Sequence, residues 1–298
     1  MTPHRAMRLG THTSTPVIAI AILCMAMAEA TFAQVSHTRQ TYELKGPVKS
    51  VRTETSKSIE ATDQAKPNNF EITSEVCFDE KGRAISQSEY SYNPMFKMKG
   101  AAFINSFDTQ GKLRLIKVSE PGGVHYANIA IGYSENDRKV VQDYTTLEGV
   151  VYHRFAYLLN ERGKTIELCD GQPDKLPRSC QFYVYDDKDR LLEWTSFNRE
   201  KQLQNRHIIS YDDQSHTSTD CYYDARRKLM LKIVNRLDEQ GRDIERTTFN
   251  GEGKLVRKVH LSYKLDQFGN WIEVAILSDP MDTLTTPSFE RRVITYYK

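Results

Sequence analysis

The chain is poor in the features that usually advertise a chemistry. Its 298 residues include only 2 tryptophans, 10 prolines and 15 glycines, and 41 Lys and Arg are nearly matched by 39 Asp and Glu. A net charge of +2 offers no basic excess of the kind that gathers nucleic acid, so no nucleic-acid partner is expected. No G-x-S-x-G, P-loop, G-x-G-x-x-G, H-E-x-x-H or C-x-x-C occurs. Acyl, phosphoryl, dinucleotide and zinc chemistry therefore lack their customary spacings. The histidines beyond residue 33 (His37, His125, His153, His207, His216 and His260) fall at no i,i+2 or i,i+4 spacing. No catalytic residue, metal or cofactor is expected.

Long hydrophobic runs are scarce too. The main one, Val17 to Ala28, is too short for the ~20 apolar residues of a spanning helix. Arg5 and Arg8 precede it, and Thr31-Phe32-Ala33 follows with small residues at the spacing of a cleavage site. Residues 1–33 thus read as a secretory signal peptide, cleaved before Gln34 or, after Ala28-Glu29-Ala30, before Thr31. Cys24 follows Leu23 rather than the small residue of a lipobox, which favours a product without a lipid anchor. No transmembrane segment remains in 34–298. No Asn stands two places before Ser or Thr, which suits bacterial export to the periplasm or beyond.

Export leads to an oxidising compartment and makes disulfides plausible. Cys169 and Cys180 flank a Pro- and Gly-containing stretch that reads as a hairpin loop, so a bridge is expected at its base. Whether Cys77 and Cys221 pair depends on which strands the sheet brings together.

What is present is a repeat. The pattern is an aromatic or Leu, then Asp or Asn, two residues, often Gly, and Lys or Arg. It appears as Phe78-Asp79-Glu80-Lys81-Gly82-Arg83 and as Leu237-Asp238-Glu239-Gln240-Gly241-Arg242. Copies begin at 78, 107, 133, 159, 185, 211, 237 and 265, and five successive steps are 26 residues. Second copies follow at Phe197, Tyr223 and Phe249, so each unit reads as two strand-plus-turn pieces. An Asp or Asn opening a turn accepts its own downstream amides, and a glycine three places on supplies a positive φ. Gly82, Gly111, Gly163, Gly241, Gly253 and Gly269 hold that slot, with Asp137 and Asp189 substituting in two copies. Between turns the apolar period is two: Phe70, Ile72, Val76 and Phe78 alternate with Glu71, Thr73, Glu75 and Cys77. Helical periodicity is missing from 34–298, and 54–66 and 97–106 are the least strand-like segments.

These features predict an all-β fold. It would be a repeat-built antiparallel meander of 26-residue units and about 17 strands, curled into an open or barrel-like sheet around its apolar face. Residues 34–298 form one domain, with an N-terminal strand and loop over 42–69 and the repeats over 70–298.

The units resemble the YD repeats of Rhs-type bacterial proteins and of shorter exported proteins built from degenerate copies. The resemblance extends to an L-x-G-x-V-x-x-V segment, Leu44-Lys45-Gly46-Pro47-Val48-Lys49-Ser50-Val51, and to a terminal R-x-I-x-Y-Y strand, Arg292-Val293-Ile294-Thr295-Tyr296-Tyr297. It implies a spiralling antiparallel sheet, and the small exported relatives imply no particular activity.

The clusters Asp186-Asp187-Asp189 and Asp212-Asp213 lie in turn slots, where backbone capping accounts for the leading Asp. Tyr185, Trp194, Tyr211, Tyr223 and Trp271 are the aromatic ligand-binding candidates, set against a role as core pegs beside each turn. The expected function is that of a non-catalytic exported binding or interaction module of the bacterial envelope, with an unnamed protein or glycan partner. The alternatives are cell-wall glycan binding through aromatic rows and lipid or lipoprotein carriage in an apolar groove.

Overall fold

A computed structural model describes residues 38–57, 70–93, 98–134, 136–278 and 288–298. The expected signal peptide (1–33), Cys24 and His37 lie outside the described residues. The strands of the first half are β1 (Val48–Lys57), β2 (Glu71–Phe78), β3 (Ala84–Asn93), β4 (Met98–Phe107), β5 (Leu113–Ser119), β6 (His125–Ser134), β7 (Lys139–Thr145), β8 (Val151–Leu159) and β9 (Thr165–Gly171). The second half adds β10 (Ser179–Tyr185), β11 (Leu191–Asn198), β12 (Leu203–Asp212), β13 (Thr217–Tyr223), β14 (Leu229–Leu237), β15 (Asp243–Asn250), β16 (Leu255–Leu265), β17 (Trp271–Ser278) and β18 (Ser288–Tyr296). Each strand pairs antiparallel with the next, and β18 pairs back onto β1, giving a closed 18-stranded ring. The open alternative is thereby set aside, because closure leaves no sheet edge unpaired.

The turn motif is built as its residues require. In the Asp238 copy the Asp amide donates to the Arg242 carbonyl (2.9 Å) and the Gly241 amide returns to the Asp238 carbonyl (2.9 Å). The carboxylate takes the Gln240 and Arg242 amides at 2.9 Å each and the Arg242 guanidinium at 2.7 Å. Gly241 sits at φ 78°, and Asp137 and Asp189 take the same left-handed region at 67° and 64°. The cation at the motif's end also reaches the next hairpin. Arg83 lies 4.5 Å from the centre of the Phe107 ring, Arg190 4.2 Å from Tyr211, and Arg242 5.2 Å from Tyr263. The hydroxyls of Tyr185, Tyr211 and Tyr263 each donate to a carbonyl 20 residues upstream. Aromatic and cation together lock neighbouring hairpins side by side.

The eight main copies lie at one end of the ring, here the near rim, where the chain also joins β1. Among the described residues the far rim is formed by the loops β5–β6, β7–β8, β9–β10, β11–β12, β13–β14 and β15–β16.

Closure joins the two terminal motifs. Val48 pairs with Tyr296 and Val51 with Ile294, and Leu44, Val48, Val51, Val76 and Phe78 bury together there. Asn270 stands where most other copies carry Lys or Arg. Its side chain accepts the Lys45 amide (2.7 Å) and donates to the Lys45 carbonyl (2.9 Å), so this exception to the motif serves the seam.

Three local expectations are corrected. Residues 98–107 form β4, although Met98, Gly100 and Ala102 hide its alternation. Gly100 takes φ 83° and packs against the Glu89 carbonyl, within a register shift between Glu89 and Tyr92. Residues 54–57 continue β1 rather than opening a loop, and 58–69 lie outside the described residues. A further shift between Thr53 and Glu54 reverses the alternation of β2. It leaves Ile72 exposed and buries Glu54 between Arg52 and Arg291, at 2.8 Å and 2.5 Å.

Candidate functional site

A closed sheet has an inner and an outer face, and burial tells them apart. Val118 and Val140 are fully covered, as only an inner face can be, and register places Ile116, Ala127, Ile129, Tyr144, Tyr157 and Leu168 with them.

The outer face carries paired charge along its strands. Arg154 forks onto Asp143 (2.6 and 2.8 Å) and Arg206 onto Glu193 (2.8 and 3.1 Å). Lys258 meets Glu245 at 3.2 Å and Lys264 meets Glu273 at 3.5 Å. Each pair faces across two adjacent strands, where opposite charges reinforce the ladder.

On the inner face of β10–β15 a polar chain runs from strand to strand. Trp194 donates its indole N–H to Gln181 (3.1 Å) and is paired in register with His207. His207 stacks on Tyr222 at 4.0 Å between ring centres, and its Nε2 meets Asp220 at 2.9 Å. The other Asp220 oxygen accepts the Asn235 amide (2.9 Å), which also reaches Ser218 (3.1 Å). Arg246 closes the chain on the Asn235 carbonyl oxygen at 3.0 Å. Burial, reinforced by the Asp220 charge, pushes the Tyr222 hydroxyl well above its ordinary value, so it remains a neutral donor.

The far rim holds a recess of about 310 Å³, lined by Tyr152 and His153 of β8, the β9–β10 loop and Arg199 of the β11–β12 turn. The expected Cys169–Cys180 disulfide is present and pins that loop at its base. Asp170, buried beneath, accepts Arg178 (3.1 Å through Nε) and the Ser179 hydroxyl, with His153 4.0 Å away. Burial lowers the His153 pKa, and the Arg178 charge adds to this against the opposing pull of Asp170. Lys175 donates to Gln172 at 2.5 Å. Neither Arg199 nor Lys175 makes an ion pair among the described residues, so both are cations left available to a ligand. Nothing in the spacing of these residues announced the recess; a disulfide-closed loop holding Lys175 and Arg178 was the available signal.

The aromatic candidates do not share one surface. Tyr185, Trp194 and Tyr211 lie on the inner face of three consecutive strands. Tyr223 is on the outer face at the far rim, where it pairs with Arg206, and Trp271 opens β17 with Arg292 stacked 3.7 Å from its centre. Cys77 and Cys221 are free thiols on β2 and β13, which are not neighbours. Of the clustered carboxylates, Asp186 and Asp212 cap their turns, and Asp213 receives Lys188 and Arg190.

No family model and no curated protein matches the chain. Among solved structures, a porin-like protein from Bacteroides uniformis is similar at TM-score 0.50 and 10% identity, over 84% of this chain and 98% of that one. A porin-like protein from Bacteroides vulgatus gives TM-score 0.34 at 10% identity, over 66% and 94% of the two chains. A TcdB2–TccC3–Cdc42 structure gives 0.21 at 13% identity, over 73% and 13%. The first likeness concerns the fold, and the other two are too weak to argue from. The chain is a closed antiparallel β-barrel protein. Among its described residues no helix is long and apolar enough to cross a membrane.

Proposed function

We propose that this chain is a non-catalytic exported binding module of the bacterial envelope, a barrel that stands in water and engages its partner through the far rim. The observation that carries this reading is the outer wall. A lipid-facing barrel presents an apolar band about 25 Å tall, and Arg or Lys at its midplane costs ~2–4 kcal/mol each. Here Arg154, Arg206 and Lys258 point outward from within their strands with acidic partners, and Lys264 does so beside the near rim. Five strands are also only 7 residues long. That is about 23 Å of strand, and tilt shortens its height further. The fold likeness to a porin-like protein supports an envelope barrel, and the charged wall argues for one that does not conduct. The turn chemistry fits a YD-repeat-like origin.

Cell fractionation tests the reading. The protein should be recovered in the periplasmic or extracellular fraction, or released from membranes by salt. A requirement for detergent, together with ion conductance in a planar bilayer, would refute it.

A further inference from the structure

The far-rim recess is built around an arginine that a buried carboxylate holds in place. The Arg178 side chain is 78% exposed, whereas that of Asp170 beneath it is only 9% exposed. Arg178 donates to one Asp170 oxygen through Nε at 3.1 Å and through a terminal nitrogen at 2.5 Å, and the Ser179 hydroxyl donates to the other oxygen. Burying a charge to hold a surface arginine is a weak way to stabilise a fold. It is an effective way to fix a guanidinium, and the other terminal nitrogen of Arg178 makes no hydrogen bond among the described residues. The Cys169–Cys180 bridge closes the same segment, so Arg178 and Lys175 stand on a pinned loop. Arg199 joins them from the β11–β12 turn.

We propose that the recess binds a small organic oxyanion, a carboxylate or phosphomonoester with a ring or apolar body; the inference rests on the binding-module reading above and names what its far rim takes. Hydrogen-bonding capacity selects the ligand. Arg178, Lys175 and Arg199 bring donors from two elements, and among the described residues no carboxylate lines the recess. The Gln172 side-chain oxygen already accepts Lys175, so its amide has mainly donors to offer. Asp170 has both oxygens engaged, and an acceptor-rich group is therefore what this wall can satisfy. Exposed Asp174 and Glu200 share these loops but are not on the wall, and the Asp174 charge acts on Arg154 of the outer face. Tyr152 and Leu176 supply the apolar part of the lining. His153, kept neutral by burial, adds one donor and one acceptor for a hydroxyl. A volume of about 310 Å³ lies at the low end of ligand pockets, roughly 300–1,000 Å³, so the occupant is small.

Titration calorimetry of the folded, disulfide-bonded chain at physiological ionic strength tests this with phenylacetate, phenyl phosphate, inorganic phosphate and the uncharged 2-phenylethanol. At least one of the two phenyl acids should bind with a Kd below about 1 mM, and the tighter of them identifies the oxyanion. Inorganic phosphate and 2-phenylethanol should each bind about tenfold more weakly than that acid, because each lacks one half of the ligand. Arg199→Gln and Lys175→Gln should each weaken binding about fivefold, and Arg178→Gln about tenfold. Arg199 and Lys175 are exposed, so their variants should keep the wild-type circular dichroism and melting temperature, and they carry the test if Arg178→Gln misfolds. Asp174→Asn combined with Glu200→Gln should change affinity less than about threefold, since solvent and salt screen charges outside the recess. A gain of about tenfold in that double variant would mean that the net charge of the rim governs binding, and would overturn the proposal. Binding of neither phenyl acid, equally tight binding of inorganic phosphate or 2-phenylethanol, or indifference to Arg199→Gln and Lys175→Gln would each overturn it too. A detergent-free chain that ignores every probe fails this inference alone; a chain that needs detergent fails the binding-module reading itself.

Discussion

On the inner face of β4–β9, register positions are filled by Phe103, Val118, Ala127, Ile129, Val140 and Leu168, all buried. On β10–β15 the inner face holds Gln181 bonded to Trp194, and beside Trp194 in register His207, Asp220, Asn235 and Arg246 joined in turn by hydrogen bonds. Both stretches use the same backbone plan and related turns. The aliphatic side is held by burial, which is non-directional and forgiving of shape. The polar side is held by geometry, in which each group satisfies the next and the loss of one strands its neighbours. The recess lies where the two meet, on loops and turns around β8–β12.

Substitutions can break this comparison in order of size. Phe103→Ala should cost about 3–5 kcal/mol in chemical denaturation, as a large buried ring is lost and a cavity left. Replacing Cys169 and Cys180 by Ser together should cost up to ~3 kcal/mol by the chain-entropy argument, and should raise hydrogen exchange over 172–178. Asn235→Ala should cost about 1–3 kcal/mol, because Asp220 and Arg246 both lose a partner. An effect there below that of an exposed residue would mean the polar chain is ornamental.

Acid should act on the turns before the aliphatic wall. Burial raises the carboxyls of Asp79 and Asp238, yet hydrogen bonds to backbone amides and to Arg83 or Arg242 outweigh it and hold both below the ordinary value of 3.8. A depressed folded pKa gives stability that is complete above the unfolded value and is lost as pH falls through the folded one. Turn amides such as Gly82 and Gly241 should therefore lose exchange protection below about pH 4, while Val118 and Val140 keep theirs. The smallest effect belongs to the outer wall: Arg206→Ala should cost under ~1 kcal/mol, as for other exposed pairs.

Much of this molecule was legible in its sequence because turn chemistry is local. Asp79, Gly82 and Arg83 act within six residues, and the Cys169–Cys180 loop is still local at a separation of 11. Closure was not legible, since Ser50 meets Thr295 across a separation of 245 residues and nothing near either residue reveals it. The burial of Glu54 depends on a register slip that alternation cannot foresee. The polar chain lay within reach: His207 and Asp220 are 13 residues apart and Asn235 a further 15, separations that follow from folding each strand back at its turn. The far-rim recess escaped because its residues come from three separate segments.

The central claim is that the barrel's outer wall faces water. Sedimentation of the chain purified without detergent measures this directly. The account predicts a single, salt-insensitive species that stays folded through the gradient, whereas aggregation that only detergent relieves would contradict it.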